Sequence, residues 1–214
     1  MPITRDFCHI VLFFTGKLGK IYMVQCNVYW NRNPEYYSES DWRGNRRNEG
    51  GALFTQASHF VDLLIWWFGE LKHAAAIVDT KMQEIEIEDC GNTAMEFESG
   101  VQGSMTWTTC VYNKNYEGSI TIIGEKGTIK IGGPYLNQID YWDVQSYPLP
   151  TNINFADLPN NYGKYQGTSS NHHKVVAEIV KDLNGESCDI VEGTEGIKSI
   201  DAIQKIYESA GYKY

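Results

Sequence analysis

The stretch Glu49-Gly50-Gly51-Ala52-Leu53-Phe54-Thr55-Gln56-Ala57-Ser58-His59-Phe60-Val61-Asp62-Leu63-Leu64-Ile65-Trp66-Trp67-Phe68-Gly69 decides how this chain is read. A glycine pair opens it and a glycine closes it. The seventeen residues between them contain no Gly or Pro, enough for a helix of about 25 Å at 1.5 Å per residue. Gly69 supplies the stop. The run is apolar on most sides, which predicts a helix buried on more than one face. One titratable ring, His59, sits in it. Thr55 lies four residues before and Asp62 three after, so on one continuous helix all three share a face. A histidine near its ordinary pKa is suited to taking a proton from an alcohol at neutral pH. A core histidine satisfied by a neighbour is the plainer reading of the helix taken alone, and it stands first there.

The rest of the chain sets bounds on that helix. At 214 residues there is room for one large domain or two small ones. The hydrophobic fraction of 42% can build a core, and 13% aromatic residues favour a sheet-rich fold with broad surfaces for packing or sugar stacking. A net charge of −9 argues against nucleic acid as a partner, which needs a basic face. Five scattered cysteines without a CxxC pair argue against zinc ribbons and redox motifs, and fit free thiols in a reducing cytoplasm. No apolar run reaches the roughly 18 residues that cross a bilayer. The short segment His9–Phe14 is followed at once by Lys17 and Lys20, unlike a signal peptide.

Residues 1–15 form an atypical lead, and 16–214 read as one domain. Ile21–Trp30 is a strand, stopped by the polar run to Pro34. The polar loop 33–49 carries Arg43, Arg46 and Arg47 in an acidic chain. Arginine forks match phosphate and carboxylate, although a solvated, ion-paired loop is the commoner case. Beyond Gly69 the period becomes two. Ala74–Lys81 is a strand; Asn92–Glu98 turns through Ser99-Gly100 into Val101–Thr108; Ser119–Ile123 and Thr128–Ile131 flank Gly124–Gly127; Ile139–Tyr147 adds an edge. Residues 148–171 read as a long loop. Two helices close the chain, His172–Leu183 and Gly196–Ala210 with Thr194 as its cap. The first has the stripe Val175, Val176, Ile179, Val180, Leu183; the second has Ile197, Ile200, Ile203, Ile206, Tyr207. The expected class is α+β, an open and mostly antiparallel sheet of about six strands with helices on one face.

Adjacent residues on a helix point about 100° apart, so His172 and His173 make a poor metal pair, though one of them, taken as His173, can face a substrate. No metal ligand and no cofactor-binding residue is assigned in this chain. The run Glu84–Asp89 reads as a solvated strand edge or loop rather than a cation site.

Trp42-Arg43-Gly44, then Glu49-Gly50-Gly51-Ala52-Leu53, then His59 with Asp62-Leu63-Leu64, resembles the carboxy-terminal domain of the Gfo/Idh/MocA oxidoreductases. Tyr29-Trp30-Asn31-Arg32 with Tyr36-Tyr37 and Asp41–Gly44 is similar to the branch that oxidises UDP-N-acetylglucosaminuronate at its 3-hydroxyl. Glu195–Ile200 and Ile206–Ala210 also fit, so the resemblance covers about residues 16–212. It implies an amino-terminal Rossmann domain that binds NAD(P) and supplies a lysine. It also implies a second domain whose sheet covers the nicotinamide, holds the sugar and makes subunit contacts through its other face.

On that resemblance His59 is the proton-transfer residue of the complete enzyme, while Asn31, Arg43, Thr55 and His173 are candidate substrate contacts. Thr55 stands where the family has Asp or Asn, and carries no charge to orient the ring. Ala57 replaces a usual glycine. A dinucleotide fold needs repeated βαβ units, which residues 1–20 cannot hold. The expectation is a cloned domain or, preferred on the odd lead from Met1, the product of a truncated gene, which binds a sugar or UDP-sugar, forms a homo-oligomer and does not turn over alone. The alternative is a non-catalytic assembly or carbohydrate-binding module that has lost the chemistry. A metal-dependent sugar isomerase is a third class, disfavoured because the histidines lack a carboxylate partner.

Overall fold

A computed structural model describes residues 16–150, 172–188, 190 and 193–213. The lead, most of the long loop after Pro150, and the side chain of His172 lie outside the described residues. Seven strands form one sheet in the order β2-β3-β4-β1-β5-β6-β7. They are β1 (Ile21–Tyr29), β2 (Leu71–Asp79), β3 (Cys90–Phe97), β4 (Gln102–Thr108), β5 (Glu117–Gly124), β6 (Gly127–Gly132) and β7 (Gln138–Val144). Every neighbouring pair is antiparallel except β1 and β4, which run parallel with Cys26 opposite Met105. The α+β sheet expected from the alternation is present, with a seventh strand.

Alternation decides which face is inside. Val24, Cys26 and Val28 of β1, Met105 and Trp107 of β4, and Ile120 and Ile122 of β5 are buried, while Met23 and Gln25 between them are exposed. The helices among the described residues are α1 (Pro34–Ser38), α2 (Arg46–Glu49), α3 (Ala52–Thr55), α4 (Ser58–Phe68), α5 (His172–Leu183) and α6 (Gly193–Ser209). Phe60, Leu64 and Phe68 of α4 join the inner-face core, and α6 packs on α4 and β2 through Ile203, Ile206 and Tyr207.

The single helix expected over Ala52–Phe68 is two. The Ala57 N–H reaches back five residues to the Ala52 carbonyl, and a new set of bonds starts from the Ala57 carbonyl to Phe60 and Val61. The break has a tertiary cause, since the Gln56 amide is engaged on both sides by Arg32 and Tyr36. The last helix begins at Gly193, so Thr194 lies inside it and is not its cap. Ile197 and Ile200 point outward, and the apolar stripe of α5 is exposed, so neither stripe is wholly core. The run Glu84–Asp89 is not simply solvated. Asp89 is fully buried and accepts the backbone N–H groups of Lys81, Met82 and Gln83, which pins that loop, and Glu88 is buried as well. Cys26, Cys90, Cys110 and Cys188 are free thiols. No described helix is long and apolar enough to cross a membrane.

Candidate functional site

The site is built where the end of β1 meets the three short helices. Asn33 caps α1 by accepting the Tyr36 N–H at 2.9 Å, and Pro34 occupies the first turn. That cap fixes Tyr36 and Tyr37, two buried rings packed edge to face. Burial pushes both phenols above their ordinary pKa, so both stay protonated at neutral pH.

Arg32 leaves β1 into this layer and is 4% exposed. Its guanidinium stands 5.2 Å from the rings of Trp30 and Tyr36. Nε donates to Gln56 Oε1 at 2.8 Å, and the Gln56 amide donates to Tyr36 Oη at 2.8 Å. Tyr36 in turn carries Arg43, whose guanidinium lies 4.1 Å from the ring and donates to the Tyr36 carbonyl at 2.9 Å.

Glu49 gathers a second set of bonds. It is 5% exposed; one oxygen accepts the Gly44 N–H and the other accepts the Thr55 hydroxyl at 2.5 Å. Gly44 has a positive φ of 74°, and a Cβ there would lie 2.7 Å from the Ile85 side chain, so glycine is required for the turn that aims this N–H. Four residues past Thr55, at the head of α4, His59 is exposed.

Two hydrogen-bonded sets, Arg32–Gln56–Tyr36–Arg43 and Gly44–Glu49–Thr55, are thus neighbours along the chain, and His59 follows Thr55 by four residues. Asn31 contributes less directly than expected. Its side-chain amide is committed to the Val111 carbonyl at 2.6 Å, which holds β1 to the strand end across from it. Asp62, three residues after His59 in the same helix, accepts from Ser199 of α6 at 2.6 Å; the break falls before both, between Thr55 and His59. His173 stands exposed on α5, and no described contact places it with the other candidates. Among the described residues no group of three His, Cys, Asp or Glu can hold a metal ion. A cleft of about 750 Å³ along β7 and the turn after it is lined by Tyr141, Trp142 and Tyr147, and none of the candidate residues lines it.

On sequence alone, Arg32, Tyr36 and Glu49 stand in the quoted motifs without a role in the site, and Gln56 is not singled out at all. A polar residue inside an apolar helix was the available signal for Gln56. An acid directly before the glycine pair was the signal for Glu49.

The family model described as oxidoreductase family, C-terminal alpha/beta domain, matches residues 14–213. Among solved structures, the WlbA dehydrogenase from Bordetella pertussis in complex with NADH and UDP-GlcNAcA is 35% identical, with a TM-score of 0.80. The WlbA dehydrogenase from Chromobacterium violaceum, also in complex with NADH and UDP-GlcNAcA, is 35% identical, with a TM-score of 0.81. Each match covers 97% of this chain, which spans 58% of the solved chain. Levoglucosan dehydrogenase in complex with NADH shares the fold at 17% identity and a TM-score of 0.68, over 96% of this chain and 61% of its own. No curated protein sequence matches.

Proposed function

The chain belongs to the oxidoreductase family defined by this C-terminal alpha/beta domain, and from that membership we propose that it is the substrate-binding and oligomerisation domain of an NAD(P)-dependent nucleotide-sugar dehydrogenase. The observation that supports this reading most is the exposure of His59 four residues after a hydrogen-bonded set in which Arg32, Tyr36, Gln56 and Glu49 are buried and Arg43 and Thr55 half-buried. A ring in that position can receive a proton from a sugar hydroxyl without being lost in the core. Arg43, carried on the Tyr36 ring, is the cation placed to meet the phosphate or carboxylate of a UDP-sugar uronate. Thr55 supports the His59 side of the site, and His173 is a further contact if substrate reaches α5.

The described residues do not fit a dinucleotide. The sequence has no GxGxxG turn, and the parallel pair β1–β4 is not joined by a single βαβ crossover. NAD(P) belongs to the complete enzyme, where it takes the hydride; this chain's own part is to bind the sugar and hold the proton at His59. Four free thiols and the acidic surface suit a cytoplasmic protein.

Titration calorimetry with UDP-N-acetylglucosaminuronate is expected to show binding that weakens at least about tenfold in His59→Ala and in Arg43→Ala, a loss of about 1.4 kcal/mol or more. The same chain mixed with NAD and that sugar should give no reduced cofactor. Steady reduction, or binding indifferent to both substitutions, would sink the reading. Sustained oligomers with no sugar binding at all would favour the assembly module instead.

The outer face of the sheet is the proposed subunit contact. Met23, Ile77, Ile123 and Tyr141 are exposed on its strands, Ile77 at 71%. Ile77→Asp with Ile123→Asp is expected to convert the oligomer to monomer in sedimentation velocity. An unchanged sedimentation coefficient would rule this face out.

A further inference from the structure

We infer that Glu49 is a positioning residue for His59 and acts through the hydroxyl of Thr55. The inference rests on the reading of His59 as the proton-transfer residue. Thr55 by itself brings no charge to the site. The structure places a carboxylate directly behind it: the Thr55 hydroxyl donates to Glu49 Oε1, and Glu49 Oε2 is held by the Gly44 N–H. A hydroxyl that donates to a carboxylate has its oxygen lone pairs left to face outward, and these are enriched by the negative charge behind them.

Thr55 ends α3, and both residues of the break, Gln56 and Ala57, keep right-handed helical backbone angles. The chain thus still winds in the helical sense from Thr55 to His59, four residues on. Glu49 cannot drift from this task. It is buried, and its two oxygens are fixed by the backbone of one turn and the side chain of another. Its charge is felt by its neighbours, since it contributes to the raised pKa of both Tyr36 and Tyr37. The charged and titratable groups near this layer are Tyr36 and Tyr37 of α1, Arg32 at the end of β1, Arg43 in the loop before α2 with Glu39 3.6 Å from it, and, on the helix of His59 itself, Asp62, which accepts from Ser199 of α6.

Burying a carboxylate costs several kcal/mol unless it is compensated. A glutamine has one acceptor oxygen, so it could accept the Gly44 N–H but would turn its NH2 group toward the Thr55 hydroxyl and reverse that bond. What the carboxylate adds is negative charge, delivered one hydroxyl from the turn that leads to His59, where an imidazolium forms when the ring takes a proton.

The test is the titration of His59 in the chain itself, followed by NMR of the ring protons, with His59→Gln identifying its signal. Glu49→Gln is expected to lower the His59 midpoint by about half a unit, less than a directly contacting carboxylate would give. Thr55→Val is expected to lower it equally, Thr55→Ser to restore it, and Glu49→Gln added to Thr55→Val to do nothing more. The midpoints of His73 and His173, on β2 and α5, serve as controls that a general loss of structure would move. An unmoved His59 midpoint in Glu49→Gln overturns the proposal, as does a shift that persists undiminished on the Thr55→Val background. Should Glu49→Gln fail to fold, the Thr55→Val and Thr55→Ser pair decides alone, since equal midpoints in the two remove the hydroxyl's part. Loss of sugar binding with these midpoints as expected would overturn the function but leave Glu49 in its role.

Discussion

A single methyl group added at Gly51 is expected to destabilise the fold by about 4 kcal/mol or more, a severe loss for a protein of this size. Gly51 has a φ of 153° and a ψ of 166°, a region that residues with a Cβ avoid. The cost does not end with the backbone. A Cβ there would lie 2.1 Å from Tyr207 Oη, 2.7 Å from its Cζ and 2.8 Å from Glu88 Oε2.

These atoms are not the loose ends of surface side chains. Tyr207 is fully buried, and its hydroxyl both accepts the Leu53 N–H at 3.0 Å and donates to Glu88 Oε1 at 2.5 Å. Relieving the clash means pulling α6 away from the start of α3 and leaving the first N–H groups of that helix unmet. Gly100 gives the matched comparison. Its φ is 80°, but a Cβ there meets nothing within 4 Å, so Gly100→Ala should cost only about 1 kcal/mol of conformational strain. Urea unfolding of the two variants separates backbone strain from steric conflict. Equal midpoints would show that the close approach at Gly51 carries no weight. Because Thr55 ends the helix that Gly51 begins, the same substitution is expected to disturb the site.

That pairing also shows what the sequence could and could not reveal. Gly100 was legible as a turn because its role is local: Ser99-Gly100 lies between two alternating runs, and the Gly100 N–H closes the hairpin onto Phe97. The strands were legible for the same reason, with shifts of a few residues at their ends. Gly51 was legible as a helix boundary but not as the seat of Tyr207, which arrives from more than 150 residues later. The parallel pairing of β1 with β4 is equally remote and left no local trace. The break at Gln56 was hidden because helix propensity and apolar spacing both continue across it, and only Arg32 and Tyr36 give it a reason. In the site, His59 stood out as the one titratable ring in an apolar run. Its supports did not, since Glu49, Arg32 and Tyr36 act through pairings that no spacing rule encodes. The charge run Glu84–Asp89 misled, because alternation with isoleucine looks like a half-solvated strand when its last two acids in fact fold inward.

Glu88, one of those two acids, is expected to make the protein less stable as pH rises through neutrality. The carboxyl is 1% exposed. Oε1 accepts from Tyr207, from the Leu53 N–H at 3.2 Å and from Trp107 Nε1 at 3.3 Å, while Oε2 is buried without a hydrogen-bond partner among the described residues. Burial outweighs these donors and pushes the pKa up from 4.5 to about 7. The neighbouring Tyr207 and Tyr212 phenols are pushed up as well, chiefly by burial and then by the Glu88 charge, so both stay neutral across the range that matters; Arg46, above the Tyr212 ring, is the nearby cation. Below 4.5 the group is protonated whether the chain is folded or not, and it makes no pH-dependent difference. Between 4.5 and about 7 the unfolded chain releases a proton that the folded chain keeps, so stability falls as pH rises. Above 7 both states are ionised and the loss is complete, at a size on the order of 3 kcal/mol. Glu88→Gln removes the ionisation but leaves an amide oxygen for the same donors, so it costs a pH-independent amount for its extra buried N–H group. The measurement is the difference in unfolding free energy between wild type and Glu88→Gln at about pH 5 and about pH 8, which cancels every other titrating group. The variant should gain on wild type by about 2.5 kcal/mol across that interval, most of the full loss. Parallel pH profiles would mean that Glu88 ionises in the folded protein as freely as in the unfolded chain, and that the layer between Gly51 and Tyr207 is wet.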